Sequence, residues 1–380
     1  MLSRRFMLGG SAAVIAGAAT ARPALAAQST DDSAALAGVE AARALVRGIM
    51  AETHAPAMSA AVARDGEVVW AEAFGLADLE QKIPATPSGR FRLASVSKVI
   101  TGAAAARLAE RGVIDLDRQI GRYRPSLPAQ HHKTTLRQLL AHTGGVRHYI
   151  GRDYDPKWPG GPIDYRTYRN TDEALAIFVN DPLVSVPGED FNYSTFGYTL
   201  AGAVMESATG LSFPQLIARE VSGPLKLATV KAEVMATPIP GTVSCYQQAQ
   251  ATGVIFKAPA INPAYKWAGG GFVGTASDLA MFCDAMHRPG YLGQAALRDT
   301  FTPFPPTKTP APVQVGIAWR IDRDHASRLR YHHAGSIAGG RSIVMVLPEV
   351  GISVVLLSNL SDLPVDPLTP AQRVADAFLV

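Results

Sequence analysis

The chain has 380 residues, of which 47% are hydrophobic and 18% are charged, and this balance is typical of a globular protein with enough apolar material for a core. The formal net charge is +4, and Arg4, Arg5 and Arg22 near the N-terminus account for three of these charges. The remaining charge is too small to favour nucleic acid as a partner.

The first 28 residues, MLSRRFMLGGSAAVIAGAATARPALAAQ, combine paired arginines, a Gly/Ala-rich apolar run and an A-x-A site. This pattern resembles a twin-arginine export signal, residues 1–26, with cleavage after Ala26. The alternative is an uncleaved membrane anchor, but the run from Met7 to Thr20 is shorter than the ~20 strongly apolar residues of a spanning helix. We therefore expect export to the periplasm, and no stable membrane span once the signal is removed.

The next segments predict a helix, a β-hairpin and a second helix. Residues 31–52 repeat apolar residues at helical spacing, and two alternating runs then flank Asp65-Gly66, a strong hairpin signal. The second helix starts near Ser95 and ends at Gly112, which is a plausible C-terminal cap.

The middle of the chain is mostly helical, and the last 70 residues are strand-like. The runs VQVGIAWRID, RLRYHHAG, GRSIVMVLPE and GISVVLLSNL are joined by short turns, which favours antiparallel pairing. An N-terminal hairpin is marginal by itself, so both chain ends should share one sheet. The expected fold is therefore α/β (α+β). A single catalytic domain, residues 27–380, would have sheet parts at about 35–93 and 312–380 and an inserted helical part at about 94–311.

Cysteine and histidine patterns argue against a metal site or a cofactor. Cys245 and Cys283 are too few for a disulfide framework or a structural zinc site, although one disulfide between them stays open. His131 and His132 are adjacent, so their side chains diverge, and no carboxylate cluster at ligand spacing accompanies them. We expect neither a metal nor a cofactor.

The stretch FRLASVSK contains the only S-x-x-K of the chain, Ser95 to Lys98. Residues three apart share a helix face, so the hydroxyl and the amine can come within hydrogen-bonding distance. Free N–H groups at a helix start also favour an oxyanion. The alternative is an ordinary serine cap with an exposed lysine, and the tetrad alone does not separate the two interpretations.

Two stretches far from the tetrad in the sequence favour its interpretation as an active site. FNYSTFGYTL stands about a hundred residues after the tetrad, and YHHAGSIAGGR enters a strand near the C-terminus. With LLAHTGGVRHY and YKWAGGGF, these motifs resemble the serine β-lactamase and DD-peptidase superfamily, in its class C, esterase-like branch. The resemblance is strongest to the mitochondrial serine β-lactamase-like group of animals, and it covers residues 40–375.

The resemblance implies a role for each matched residue. Ser95 matches the nucleophile, Lys98 the partner base, and Tyr193 the tyrosine that shuttles a proton to the leaving group. His333 and Gly335 match the first and third positions of the H-x-G strand element; His333 would be the alternative to Tyr193 as proton donor to the leaving group, and Gly335 would bind substrate together with Thr195. The backbone N–H groups of Ser95 and Ser336 would form the oxyanion hole, and Ser97 would have no role.

Some residues depart from the family pattern or stand outside its motifs. Thr195 replaces the usual Asn of the Y-x-N element, and no glutamate in a motif context would activate a deacylating water, which disfavours β-lactam turnover. His142 and His148 are interpreted as structural. The aromatic loop 147–170 is either a packed surface loop or a wall of the acyl-binding cleft, with the aromatic residues Tyr149, Tyr154, Trp158 and Tyr165.

We expect an exported serine hydrolase that acts through an acyl-enzyme on Ser95. Its substrate would be a small molecule or peptide with an acyl carbonyl, and peptidase or esterase activity ranks ahead of β-lactamase or DD-carboxypeptidase activity. A filament-forming scaffold is the alternative of another class, because the mitochondrial group polymerises. A homo-oligomer is compatible with either hypothesis.

Overall fold

The computed structural model describes the backbone of residues 25–361 and 366–379, with side chains described from residue 36 onward. The predicted export signal therefore lies almost entirely outside the described residues. No helix within the described ranges is both long and apolar enough to cross a membrane.

Ten α-helices and thirteen strands are found in these residues. The helices are α1 (Leu25–Thr53), α2 (Ser97–Glu110), α3 (Leu136–Leu140), α4 (Thr171–Leu175), α5 (Thr195–Thr209), α6 (Phe213–Ile217), α7 (Trp267–Gly270), α8 (Ala276–Ala285), α9 (Gln294–Phe301) and α10 (Leu368–Ala377). The strands are β1 (Ala57–Arg64), β2 (Glu67–Asp78), β3 (Ile83–Pro84), β4 (Phe91–Arg92), β5 (Lys231–Ala232), β6 (Tyr246–Gln248), β7 (Ile255–Lys257), β8 (Phe272–Gly274), β9 (Gln314–Val315), β10 (Arg320–Arg323), β11 (Leu329–Ile337), β12 (Gly340–Leu347) and β13 (Ile352–Ser358).

The main sheet is antiparallel and contains strands from both ends of the chain. Its order is β3-β2-β1-β13-β12-β11-β10-β9, so β1 pairs with its hairpin partner on one side and with β13 on the other. The Asn359 side chain accepts a hydrogen bond from the Ala57 amide at 2.8 Å and fixes this junction. The predicted fold class is confirmed.

The hairpin between β1 and β2 turns at the predicted dipeptide. Asp65 and Gly66 have φ angles of 53° and 89°, and two consecutive positive values are the signature of a type I′ turn. The Gly66 amide also donates a hydrogen bond to Asp284 at 3.0 Å, which attaches the turn to the end of α8.

The sheet is covered by helices on both faces. Alternate residues of β12 point to opposite sides: Val344 and Val346 join the core cluster that includes α2, α5 and α8, whereas Ile343 and Met345 pack with α1 and α10. Both faces are apolar because both are buried, which explains the almost continuous hydrophobic runs of β12 and β13.

The segment between the two halves of the sheet is mainly helical, but it also contains a small sheet of order β4-β8-β5 and the two-stranded sheet β6-β7. These short strands were not predicted, because two or three residues are too few to show a period. The pairing of β4 with β8 brings the chain to Ser95. Both cysteines, Cys245 and Cys283, are free.

Candidate active site

Ser95 lies in a short 3₁₀ turn, Ala94–Val96, which leads directly into α2. The preceding Ala94 is buried and has a φ of 46°, in the left-handed region. This conformation costs an alanine about 1–2 kcal/mol, and such strain is concentrated at functional sites. The strained turn places Ser95 at the N-terminal end of α2, at the surface of a cleft.

Lys98 lies one turn after Ser95 and is completely buried. Its Nζ donates hydrogen bonds to the Ser95 hydroxyl at 3.2 Å, the Thr195 hydroxyl at 3.2 Å and the Gly269 carbonyl at 2.5 Å. Burial lowers the pKa of Lys98, and the nearby Tyr193 only partly opposes this effect. A lysine with a lowered pKa and a bond to a serine hydroxyl can act as a base.

Tyr193 precedes α5 and reaches the same serine. Its hydroxyl donates a hydrogen bond to Ser95 Oγ at 2.8 Å, and the Lys98 nitrogen lies 4.9 Å from the centre of its ring. Burial raises the pKa of this phenol, but the charge of Lys98 and its hydrogen bonds outweigh burial, so the pKa is lowered. Two groups able to accept a proton therefore contact the Ser95 hydroxyl.

Strand β11 forms the opposite side of the cleft. At Gly335 an added Cβ would lie 2.9 Å from the Ser95 amide nitrogen and 2.6 Å from the Leu93 carbonyl oxygen, so only glycine allows this approach. The next residue, Ser336, is exposed and lines the cleft. The amides predicted to form an oxyanion hole thus belong to two segments in direct contact.

His333 lies on the same strand but beneath the cleft. It is 1% exposed, and its Nδ1 lies 2.8 Å from the carbonyl oxygen of Ala334. Burial, followed by the charges of Arg320 and Lys98, lowers its pKa well below the usual range, so the imidazole is neutral at pH 7. The structure therefore brings His333 near the site without exposing it to a substrate.

The cleft has a volume of ≈ 300 Å³. It contains six of the predicted site residues: Ser95, Tyr149, Tyr193, Thr195, Gly335 and Ser336. Its other lining residues are Ala94, His148, Lys266, Gly269, Gly270, Arg320, Ala334, Ile337 and Arg341.

Trp158, predicted as a wall of this cleft, lies elsewhere. The indole is 41% exposed, and the guanidinium carbon of Arg152 lies 5.1 Å from its ring centre. Tyr154 and Tyr165 are also exposed, at 41% and 53%. None of the three is among the residues that line the cleft in the described part of the chain. Of these four aromatic residues only Tyr149 lines the cleft, and it packs edge-on against Phe196, with ring centres 4.9 Å apart.

His148 lines the cleft, although its sequence context indicated a structural role. Its Nδ1 accepts a hydrogen bond from the Thr195 amide at 3.3 Å, and its ring centre lies 4.2 Å from that of Tyr149, with the two rings tilted by 32°. Burial and the charge of Lys98 lower its pKa to about 4, so the ring is neutral with its proton on Nε2. His142, in contrast, is buried and accepts from the Ser194 amide at 3.1 Å, as a structural histidine would.

Sequence reasoning also missed two cations of the cleft, Lys266 and Arg320. Lys266 forms an ion pair with Asp164 at 3.3 Å, and burial lowers its pKa while Asp164 opposes the shift. Arg320 is the first residue of β10. The signal for Lys266 was present in YKWAGGGF, a stretch that was used only for the family resemblance. Arg320 follows a strand-like apolar run, and this context is typical of a charged residue at a solvated edge.

The described residues contain no group of three or more His, Cys, Asp or Glu side chains arranged to hold a metal ion. Gly269 and Gly271 allow close packing, because an added Cβ would lie 2.5 Å from the Thr195 methyl group at Gly269 and 2.8 Å from the Pro263 carbonyl oxygen at Gly271.

A match between the sequence and a known family identifies the type of protein to which this serine, lysine and tyrosine belong. The sequence pattern of the family described as Beta-lactamase matches residues 42–378. The chain belongs to the beta-lactamase family. It is a serine hydrolase of this type, and the predicted resemblance is confirmed.

Proteins similar to this chain include a mitochondrial protein, an esterase and a penicillin-binding protein homologue. The serine beta-lactamase-like protein LACTB, mitochondrial, of Mus musculus is 28% identical over 407 residues, which cover 82% of this chain and 73% of the relative. Esterase EstB of Burkholderia gladioli is 30% identical over 335 residues, which cover 79% of this chain and 85% of the relative. The octameric penicillin-binding protein homologue from Pyrococcus abyssi has a similar structure, with a TM-score of 0.75 and 23% identity, covering 90% of this chain and 77% of that one. This last similarity concerns the fold.

Proposed function

We propose that this beta-lactamase-family protein is an exported hydrolase that cleaves esters or peptides through an acyl-enzyme on Ser95. One observation carries the proposal: the Ser95 hydroxyl lies 3.2 Å from the buried Lys98 amine and 2.8 Å from the Tyr193 hydroxyl. A serine with two proton-accepting neighbours at the surface of a cleft is arranged for nucleophilic attack.

The reaction follows from these contacts. Lys98, together with Tyr193, accepts the Ser95 proton as Oγ attacks the carbonyl carbon of the substrate. The amides of Ser95 and Ser336 donate hydrogen bonds to the resulting oxyanion. Collapse of this intermediate breaks the bond to the leaving group, which takes a proton from Tyr193. Water then attacks the acyl ester, releases the acid and restores the serine hydroxyl.

Tyr193 is a better proton donor to the leaving group than His333, the alternative implied by the sequence. Tyr193 contacts Ser95 directly, whereas His333 is buried beneath the cleft. A group that transfers a proton to the leaving atom must reach it directly or through one water. We therefore assign His333 to the support of the site.

Thr195 supports a preference for esters or peptides over β-lactams. In place of an amide able to bind an acyl side chain, this position carries a hydroxyl that accepts a hydrogen bond from Lys98. The relative EstB is named an esterase, which agrees with this ranking.

Labelling with a fluorophosphonate probe tests the nucleophile. The wild-type protein should be labelled, and mass spectrometry should locate the adduct on Ser95. Ser95→Ala should abolish labelling, whereas Ser97→Ala, which alters the neighbouring serine of the tetrad, should retain it once its folding has been checked. Equal, weak labelling of wild type and Ser95→Ala would refute the proposal.

A panel of substrates shows which kind of bond the protein cleaves. The panel contains short-chain esters, D-Ala-D-Ala peptides, a chromogenic cephalosporin and a fluorescent penicillin. We expect Ser95-dependent turnover of esters or peptides that exceeds turnover of the cephalosporin. Rapid cephalosporin hydrolysis would indicate a β-lactamase instead, and a long-lived penicillin adduct would indicate a DD-carboxypeptidase.

We also propose that residues 27–380 act as one exported catalytic domain. The paired Arg4-Arg5 and the A-x-A site at Ala24–Ala26 support export by the twin-arginine route. Arg4→Lys combined with Arg5→Lys should retain the protein in the cytoplasm of a bacterium that has this route, and fractionation measures the outcome. Assembly into an oligomer or filament is a separate question for light scattering and negative-stain imaging, because the Pyrococcus abyssi relative is described as octameric.

A further inference from the structure

A groove on another surface of the molecule has no part in the proposed reaction. It is bordered by α6 and the short strand β5, it has a volume of ≈ 670 Å³, and it shares no lining residue with the Ser95 cleft. Sites for small organic ligands usually have volumes of about 300–1,000 Å³. The groove is therefore large enough to hold a ligand of its own.

The floor of the groove is apolar. It consists of four side chains that are only 1–5% exposed: Ile217, Leu227, Val230 and Phe272. Val234 stands at the side of the groove and is 37% exposed, although it is apolar. A ligand with an apolar body would remove this surface from water, which is favourable in proportion to the area covered.

The charges around this floor are all positive. Of the groove-lining residues in the described part of the chain, two are charged, and both are exposed lysines, Lys226 and Lys231. The lysine ion pairs found in residues 36–361 and 366–379 involve Lys257, Lys266 and Lys308. Neither groove lysine thus has a described carboxylate within 4 Å. Two such cations beside an apolar floor are complementary to an anion that carries an apolar chain.

The groove also contains a hydroxyl group that lacks a partner. Ser222 lines the groove, and its Oγ is buried without a hydrogen bond to any described residue. A buried hydroxyl without a partner costs free energy, and a ligand oxygen would satisfy it. Ser222 therefore favours a ligand with an oxygen acceptor.

We propose that this groove binds a free aliphatic carboxylate with a single chain, the chemistry of a medium- or long-chain fatty acid. The chain lies on the floor formed by Ile217, Leu227, Val230 and Phe272, and the carboxylate pairs with the two lysines. A neutral lipid would leave the lysines without a counter-charge, and a small inorganic anion would leave the floor exposed to water. The site is separate from Ser95 and does not depend on the hydrolase function.

The test measures the binding of three probes by isothermal titration calorimetry. Decanoate is the main probe, hexanoate has the same head group and four fewer methylene groups, and 1-decanol has the same chain without the charge. We expect decanoate to bind about 10- to 100-fold more tightly than hexanoate, because each buried methylene group adds affinity. Decanoate should also bind more tightly than 1-decanol, and this difference should decrease at high salt.

Variants locate the site. Lys226→Gln combined with Lys231→Gln should weaken decanoate binding about 5- to 30-fold, the usual range for two exposed charges, and leave 1-decanol binding unchanged. Val234→Asp places a charge beside the floor and should weaken the binding of both probes. The matched control is Lys133→Gln, because Lys133 is also exposed but lies outside the groove. Thermal melting of each variant checks that it is folded.

Equal decanoate affinities of the wild type and the double lysine variant would place the ligand elsewhere, for example in the Ser95 cleft, and would overturn the proposal. Absence of decanoate binding would overturn it too. Co-sedimentation with vesicles of phosphatidylglycerol and phosphatidylcholine separates a free acid from a membrane surface: lysine-dependent binding to vesicles without binding of free decanoate would refute the proposal. Ser95→Ala should bind decanoate as the wild type does, so failure of the hydrolase function is measured independently.

Discussion

The hydroxyl oxygen of Tyr193 lies 2.8 Å from the hydroxyl oxygen of Ser95, although the two residues are 98 positions apart in the chain. Lys98 contacts the same serine oxygen at 3.2 Å. Two titratable side chains thus contact the serine oxygen, and the proposed role of each leads to a prediction.

Replacement of Tyr193 by Phe removes the phenol oxygen and preserves the ring that packs over Lys98. We expect kcat/KM to fall about 10²- to 10⁴-fold, the usual contribution of a positioned acid or base. The melting temperature should change little, since the packing is retained. Steady-state kinetics and thermal melting measure both effects. An activity within threefold of wild type would show that Lys98 alone handles the proton.

The pH dependence of the reaction should report the ionisation of Lys98. Only the neutral amine accepts a proton, so kcat/KM should rise as the pH rises through the pKa of Lys98. Burial lowers this pKa from its usual value of 10.5, and the rise should therefore be centred below pH 10.5. Lys98→Met should have low activity without this rise. A wild-type profile that is flat below pH 10.5 would argue against Lys98 as the base.

A methyl group at position 335 should disable the site. In Gly335→Ala the new Cβ would lie 2.4 Å from the Ser342 hydroxyl and 2.9 Å from the Ser95 amide nitrogen. Relief of this overlap should separate β11 from Ser95 and cost about 1–3 kcal/mol of unfolding free energy. Activity should fall more than stability alone explains. Gly151→Ala is the control, because nothing lies within 4 Å of its added Cβ. Equal activities of the two variants would contradict the proposed oxyanion geometry.

The ion pair between the buried Arg92 and the partly buried Glu233 supports the segment before the nucleophile. Arg92 contacts Glu233 at 2.6 Å and donates a second hydrogen bond to the Ala338 carbonyl at 2.7 Å, which ties β4 to the hairpin after β11. Glu233→Gln should lower the free energy of unfolding by about 3 kcal/mol, because Arg92 would be left buried without its counter-charge. Urea denaturation measures the loss.

The matched control for this prediction is Glu189→Gln. Glu189 forms an exposed pair with Lys308 at 3.6 Å, and such surface pairs contribute about 0–1 kcal/mol. A loss in Glu233→Gln no larger than that in the control would show that the Arg92 pair is dispensable.

Much of the fold could be predicted because its signals are local. Asp65-Gly66 requires a turn with positive φ, and the strand-like runs of the last 70 residues have lengths and spacings that only an antiparallel sheet accommodates. The tetrad at Ser95 became informative through Tyr193 and the His333-x-Gly335 element, which the fold then brings beside it.

Residues whose role depends on where the side chain points in the folded protein could not be predicted. Trp158 and Tyr149 belong to the same aromatic loop, yet only Tyr149 turns inward, and no period in the sequence distinguishes them. The role of His148 depends on the Thr195 amide, a backbone group that carries no sequence signal. Arg320 is similar, because its position at the wall of the cleft is set by the surrounding fold.

The position of β1 between β2 and β13 has a consequence for synthesis on the ribosome. The hairpin and the tetrad emerge early, but β1 gains its second neighbour only after residues 352–358 have been made. Gly335 and Ser336 also arrive late, so a nascent chain carries Ser95 and Lys98 without an oxyanion hole. Contacts so distant in the chain form slowly. If Ser336 supplies the proposed oxyanion amide, we expect the nascent chain to lack hydrolase activity through most of its translation and to gain it only when the last strands close the sheet.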